Sequence, residues 1–126
     1  MLKMRIVTRC GEYEAELDDS EISQAVWFSA SHFTVAANDL TGTLYFEMPV
    51  DVESDAERQT VFEVGDIAWW PGVNALVIFY GPTPLSGEDG KPVWKYKCIK
   101  IGRIVGDCST LEESGDRQNI TLDQII

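Results

Sequence analysis

The residues that most often perform chemistry are few in this chain and lie far apart in the sequence. His32 is the single histidine among 126 residues, which excludes zinc sites built from two or three imidazole groups. No G-x-S-x-G elbow presents a serine to that histidine, and neither glycine-rich phosphate-binding motif occurs. We therefore predict no catalytic residue and no cofactor, and we expect His32 to cap or flank the first helix.

Alternate acidic residues have the spacing of a calcium-binding loop: Asp51, Glu53, Asp55 and Glu57. Such a loop needs a glycine at its sixth position and a glutamate at its twelfth, where this chain has Ala56 and Phe62. We therefore predict that this run binds no metal.

The cysteines also argue against a metal or disulfide framework. Cys10, Cys98 and Cys108 are odd in number and show no C-x-x-C spacing, so reduced thiols are expected. Cys98 lies within a strand pattern and is predicted to belong to the core.

The first residues, Met1–Val7, lack the apolar run of a signal peptide. We predict a cytoplasmic protein.

The charge balance restricts the partners. The chain has 10 basic and 21 acidic residues, a net charge of −11 and a pI near 4.3, which disfavours nucleic acids and anionic membrane surfaces. One basic segment, 91–103, interleaves cations with Trp94 and Tyr96, a mixture that often contacts nucleic acid. Given the net charge, we interpret this segment as a solvated strand face, and we predict no nucleic-acid and no membrane partner.

The elements that position these residues are mostly strands of a single domain, as the length and an apolar fraction of 44% indicate. Alternation on both sides of a glycine predicts a β-hairpin turning at Cys10–Gly11, with Arg9 opposite Glu12 and Arg5 opposite Glu16.

Two short helices are predicted, one from Asp19 to about Ser31 and one around Ser109–Glu113. A break in the alternation at Cys98–Ile99 predicts a β-bulge. Many short strands with two helices are typical of a small β-barrel or sandwich. The further strands are expected at Phe33–Ala37, Thr43–Glu47, Thr60–Val64, Ile67–Trp70, Ala75–Tyr80, Tyr96–Val105 and Asn119–Ile125.

The most specific string runs from Gly65 to Pro84 and contains G-D-I-A-W-W-P-G followed by A-L-V-I-F-Y-G-P-T-P. Together with Leu44–Val50 and Ile99–Ile104, it resembles the signature of a small bacterial and archaeal family with a cyclophilin-like fold, mostly of uncharacterised function. The resemblance implies one mainly β domain over residues 1–126. It would be a closed antiparallel β-barrel of about eight strands with two short helices at its ends.

The resemblance also invites comparison with true cyclophilins, which are prolyl cis/trans isomerases. Their arginine polarises the prolyl amide and precedes a proline in an F-H-R-I-I-P block, but this chain reads Tyr45-Phe46-Glu47-Met48-Pro49. Pro92 follows the similar Asp89-Gly90-Lys91 block, where the isomerases carry histidine. Loss of the electrophilic group removes most of the catalysis. We predict a non-catalytic binding module. The alternative is a weak isomerase using Arg58 or Arg103, and a third possibility is an accessory domain that acts through its acidic surface.

Six aromatic residues crowd the blocks that form the cyclophilin groove, and they are the predicted ligand-binding residues: Tyr45, Phe46, Trp69, Trp70, Phe79 and Tyr80. Alternation divides them into Tyr45, Trp69 and Phe79 against Phe46, Trp70 and Tyr80, each assigned only within its own strand. The favoured interpretation is that the inward set fills the barrel, as small barrels usually require. The alternative is that one or more of these aromatic residues line a groove for a peptide or small apolar ligand. Trp94 lies beside the basic strand, which is expected to be exposed, and because tryptophan is enriched at protein interfaces we predict a weak homodimer through this region.

Overall fold

The computed structural model describes residues 2–114 and 116–126. In this part of the chain nine strands, one α-helix and one 3-10 helix follow one another. Their bounds are β1 (Leu2–Thr8), β2 (Gly11–Leu17), α1 (Glu21–Ser29), β3 (Phe33–Leu40), β4 (Thr43–Glu47), β5 (Gln59–Val61), β6 (Asp66–Trp70), β7 (Ala75–Phe79), β8 (Val93–Val105), the 3-10 helix (Ser109–Ser114) and β9 (Gln118–Ile125).

Eight of these strands form a closed ring in the order β2-β1-β9-β3-β4-β7-β6-β8, and the ring closes where β2 pairs with β8. Every pairing is antiparallel across the described residues. β5 pairs only with the first half of β8, outside the ring. The mainly β prediction is confirmed.

Two apolar clusters lie on opposite faces of the sheet. The larger one fills the inside of the ring and includes Met4, Ile6, Leu44 and Leu76. The smaller one, which we call the outer cluster, lies under β5 and consists of Phe62, Ala68, Val77, Phe79, Trp94 and Cys98. The sheet from β4 to β8 is therefore covered on both faces, whereas β1 and β2 alternate between buried and exposed residues.

The prediction of two short helices is not matched, because α1 is the one α-helix within residues 2–114 and 116–126. α1 begins at its N-cap Ser20, whose Oγ accepts the backbone N–H of Ser23 at 3.2 Å, and it buries Ile22 and Val26. The second segment is a 3-10 helix in which the N–H of Leu111 bonds the carbonyl of Cys108 at 3.1 Å. This acidic segment is too short and has too few apolar residues to pack a helical stripe.

The first hairpin forms, but its predicted register is wrong. Its turn lies at Arg9–Cys10, one residue earlier than predicted, so that Arg5 lies opposite Glu14 and Glu16 lies opposite Lys3. The Thr8 hydroxyl accepts the N–H of Cys10 at 3.0 Å, which tightens the turn and leaves Gly11 as the first residue of β2.

The bulge in β8 also differs from its prediction. Cys98 and Ile99 are both buried because Cys98 faces the outer cluster and Ile99 faces the inside of the ring. Register shifts fall instead on either side of this pair. One lies around Ile101, since Ile67 pairs with Gly102 while Ala68 pairs with Lys100, and one lies between Val93 and Cys98, where β8 pairs with β5.

Candidate ligand-binding groove

The six predicted aromatic residues divide between the two faces of the sheet. Phe46, Trp69 and Tyr80 belong to the cluster inside the ring. Phe79 belongs to the outer cluster, against which Tyr45 and Trp70 pack. The alternation predicted within each strand is confirmed, and strand register now relates the strands to one another by placing Trp69 and Phe46 both opposite Leu76.

An open groove of about 410 Å³ lies on the outer face beside β8. Only Tyr45 and Trp70 of the six predicted residues line it. The lining is completed by Leu40, Thr41, Thr83, Pro84, Leu85, Val93, Trp94, Lys95 and Tyr96. The missed rings, Trp94 and Tyr96, lie in the basic segment whose mixture of cations and aromatic residues was the one signal of a binding surface there.

Four aromatic rings in mutual contact form the wall of the groove. Trp70 and Tyr96 stack with their ring centroids 5.0 Å apart, and Trp94 packs edge-on against Trp70 at 5.4 Å. Tyr45 touches both Trp94 and Trp70, at 5.8 and 6.0 Å. Each ring therefore packs against at least one other without a ligand, which lowers the cost of ordering the wall on binding.

Trp94 is only 8% exposed, whereas Tyr96 is 48% exposed. The ring that β8 offers to solvent is therefore Tyr96, and the argument for a homodimer from an exposed Trp94 loses its basis. The weak homodimer itself stays a prediction.

The loop between β7 and β8 forms the opposite rim, and side-chain hydroxyls tie it back to the sheet. The Thr83 hydroxyl donates to the carbonyl of Val93 at 2.7 Å and accepts the Val93 N–H at 3.0 Å. The Ser86 hydroxyl donates to the carbonyl of Lys91 at 2.7 Å. These bonds hold Pro84 and Leu85 against the groove.

Among the described residues, Lys95 is the one charged residue that lines the groove. Its Nζ lies 5.6 Å from the centroid of the Tyr96 ring, within the range of a cation–π contact. The two arginines predicted as alternative catalytic groups lie elsewhere. Arg58 lines a polar cavity of about 540 Å³ together with Asp51, Glu53 and Asn74, and Arg103 lines a separate cleft.

Three further titratable groups, Cys98, Tyr80 and Asp66, do not line the groove and are held by burial and hydrogen bonds. Burial raises the pKa of the Cys98 thiol to about 12, although the charge of Arg58 opposes the shift. Burial, with a hydrogen bond of 2.7 Å donated to Asp39, also raises the pKa of Tyr80. Asp66 is buried and accepts the N–H of Glu63 at 2.8 Å, while Lys100 lies 3.1 Å from its other oxygen.

His32 follows α1 in a left-handed backbone conformation and lies 3.2 Å from Asp123. In residues 2–114 and 116–126, no three histidine, cysteine or carboxylate side chains cluster as metal ligands would. Within the same described residues, no helix has the length and hydropathy needed to cross a membrane.

The chain is similar to proteins of one fold family. A profile described as Cyclophilin-like matches residues 2–123, and no curated protein matches the chain. The solution structure of the hypothetical protein AF2241 from Archaeoglobus fulgidus is 28% identical, with a TM-score of 0.80 over 98% of this chain and 95% of that one.

A cyclophilin-type peptidyl-prolyl cis-trans isomerase from Cryptosporidium parvum, crystallised in the presence of the dipeptide Ala-Pro, is 13% identical. Its TM-score is 0.58 over 98% of this chain and 99% of that one, a likeness that shows the fold alone. The family match covers nearly the whole chain and confirms what the sequence strings predicted. This chain belongs to the cyclophilin-like family.

Proposed function

We propose that the chain is a cyclophilin-like β-barrel that acts as a non-catalytic binding module, holding a peptide or a small apolar ligand in the groove beside β8. The observation that carries this proposal is the wall of four contacting rings, Tyr45, Trp70, Trp94 and Tyr96, around an open groove of about 410 Å³. A volume of this size is typical of small-molecule sites.

The exposure of the rim supports the same proposal. Leu40, Leu85 and Tyr96 are 50%, 57% and 48% exposed, and all three line this groove. Apolar side chains that converge on one concave surface are typical of a binding site, whereas single exposed ones are ordinary. Each 100 Å² of apolar surface that a ligand covers contributes about 2.5 kcal/mol before the costs of binding.

A weak prolyl isomerase is the second candidate, and one observation favours it: Lys95 places a cation on the aromatic groove. A lysine carries a point charge and lacks the planar, forked donors of arginine. Because no arginine of the described part of the chain lines this groove, we place binding ahead of catalysis.

Binding can be tested by titrating the ¹⁵N-labelled protein with two neutral probes, 2-naphthalenemethanol and the capped peptide acetyl-Phe-Ala-Leu-amide. We expect at least one of them to shift the indole N–H signals of Trp70 and Trp94 and the amide signals of residues 93–96. The Tyr96→Ala variant should weaken that binding by about fivefold or more, since stacked aromatic residues commonly dominate such sites.

Phe28→Ala is the matched control, because Phe28 is another aromatic residue, 68% exposed, that does not line the groove. The control should bind the probes as the unmodified protein does. The proposal fails if neither probe shifts the groove signals at millimolar concentration, or if Phe28→Ala and Tyr96→Ala reduce binding equally.

A further inference from the structure

The lysines in and just before β8 differ in whether a carboxylate lies beside them. Lys100 pairs with the buried carboxylate of Asp66 at 3.1 Å, and Lys91, just before the strand, pairs with Glu63 at 3.2 Å. Lys95 has no carboxylate partner among the described residues, although the chain carries 21 acidic residues. The single cation that faces the aromatic groove is thus left free for an anion.

The hydroxyl groups around the groove are also available. The Tyr45 and Tyr96 hydroxyls and the Thr41 hydroxyl make no hydrogen bond with any other described residue, while the Thr83 hydroxyl is used by Val93 and Ser86. Tyrosine and threonine hydroxyls can donate to an acceptor, and a lysine ammonium can only donate. The polar groups at this groove therefore suit a ligand that carries acceptor oxygens and negative charge.

We propose that the ligand of this groove is a small amphipathic carboxylate, in which a flat apolar body packs on Tyr96 and Trp70 and the carboxylate binds Lys95. This inference rests on the proposed binding function and specifies its ligand class. The flat body follows from the ring-lined wall, because aromatic rings pack favourably on planar apolar groups edge-on as well as face to face. The small size follows from the volume of about 410 Å³, which is near the lower end of ligand pockets.

The net charge of −11 does not oppose this choice. At physiological ionic strength the Debye length is about 8 Å, so distant acidic residues are largely screened at the groove. A carboxylate in contact with Lys95 is screened much less because the two charges are far closer than that length, and no other charged residue of the described part of the chain lines the groove. The positive charge of Lys95 at the groove, and not the net charge of the chain, therefore favours a negatively charged ligand.

The test compares 2-naphthaleneacetate, the anion of 2-naphthaleneacetic acid, with 2-naphthaleneacetamide. The amide has the same apolar body and nearly the same shape but carries no charge. At low ionic strength we expect the carboxylate to bind about fivefold more tightly than the amide, the range of a partly exposed ion pair. Both probes should shift the signals of Trp70, Trp94 and Tyr96. Raising the salt concentration should reduce the preference for the carboxylate.

Two variants assign the preference to one ammonium group. Lys95→Gln should bind both probes with the affinity that the unmodified protein has for the amide. Lys97→Gln removes the same charge from the same strand, but Lys97 does not line the groove, so this variant should keep the preference. A net-charge effect would instead lower the carboxylate affinity equally in both variants.

The outcomes separate this inference from the proposed function. If the naphthyl carboxylate and the naphthyl amide bind the groove equally tightly, the carboxylate proposal is overturned and the groove is a site for neutral apolar ligands. A preference that survives Lys95→Gln, or carboxylate-induced shifts confined to the surroundings of Arg58 or Arg103, also overturns it. Absence of binding by both naphthyl probes and both neutral probes overturns the proposed function as well.

Discussion

Cys98 links the outer cluster to the pH dependence of stability. The thiol is fully buried, and burial raises its pKa to about 12, compared with about 8.5 in an unfolded chain. Between these pH values the unfolded chain loses a proton that the native protein keeps. The contribution of the Cys98 thiol to the free energy of unfolding is therefore fully present below about pH 8.5 and is lost as the pH rises. Burial and the charge of Asp107 raise the pKa of Cys108 in the same direction.

We expect the free energy of unfolding to fall above about pH 9, with the Cys98 thiol contributing about 1.4 kcal/mol per pH unit. Urea titrations of the reduced protein at several pH values measure this decline. Cys98→Ala should be less stable at neutral pH but should decline less steeply.

Val77→Ala is the control for this measurement, since it opens a cavity in the same cluster without removing a thiol. Its stability should decline with pH as steeply as that of the unmodified protein. An unchanged slope in Cys98→Ala would show that Cys98 ionises equally easily in the native and unfolded states.

At the scale of the elements, the seam between β2 and β8 closes the ring, and Gly102 lies at its tightest point. Gly102 pairs with Leu17 of β2 on one side and with Ile67 of β6 on the other. A Cβ added there would lie 2.2 Å from the backbone oxygen of Glu16 and 2.8 Å from a methyl carbon of Leu17. Because the nearest atom belongs to the backbone, the strands themselves would have to separate.

We therefore expect Gly102→Ala to lower the free energy of unfolding by about 3 kcal/mol, at the upper end of overpacking effects. Hydrogen exchange should accelerate first in the β2–β8 pairs, such as Ala15 with Ile104.

Gly87→Ala is the matched control, because a Cβ at Gly87 meets nothing within 4 Å. It should change stability by no more than about 0.5 kcal/mol. Equal stability of the two variants would mean that the seam is looser than described.

At the scale of the whole molecule, the family fold has to be separated from the isomerase chemistry found in some proteins that share it. We expect little or no prolyl isomerase activity, since Glu47 and the residues around it supply no arginine and no arginine lines the aromatic groove. A directed donor is typically worth about 3–4 kcal/mol, or about a hundred- to a thousandfold in rate.

A protease-coupled assay on an alanyl-prolyl peptide, with an authentic cyclophilin as the positive control, measures this activity. Acceleration within about tenfold of the control would contradict the prediction. Lys95→Gln, Arg58→Ala and Arg103→Ala would then identify the cation responsible, and loss in Lys95→Gln would place the reaction in the aromatic groove.

Much of this protein is determined by its sequence alone. Alternation located the first hairpin and most strands, because side chains of a strand point to opposite faces by local backbone geometry. The strings around Gly65–Pro84 and Leu44–Val50 identified the family. Within each strand, alternation also separated Tyr45 from Phe46 and Trp69 from Trp70, as the structure confirms.

The tertiary structure decided which of these rings meet. Trp70 rather than Trp69 joins Tyr45 because the pairing of β6 with β7 and of β4 with β7 sets a common face for separate strands, and register is a long-range property. Trp94 and Tyr96 complete the groove because β8 extends past the ring to pair with β5. The free ammonium of Lys95 follows from the same placement, since only the folded chain shows which lysines meet a carboxylate and which one faces the rings.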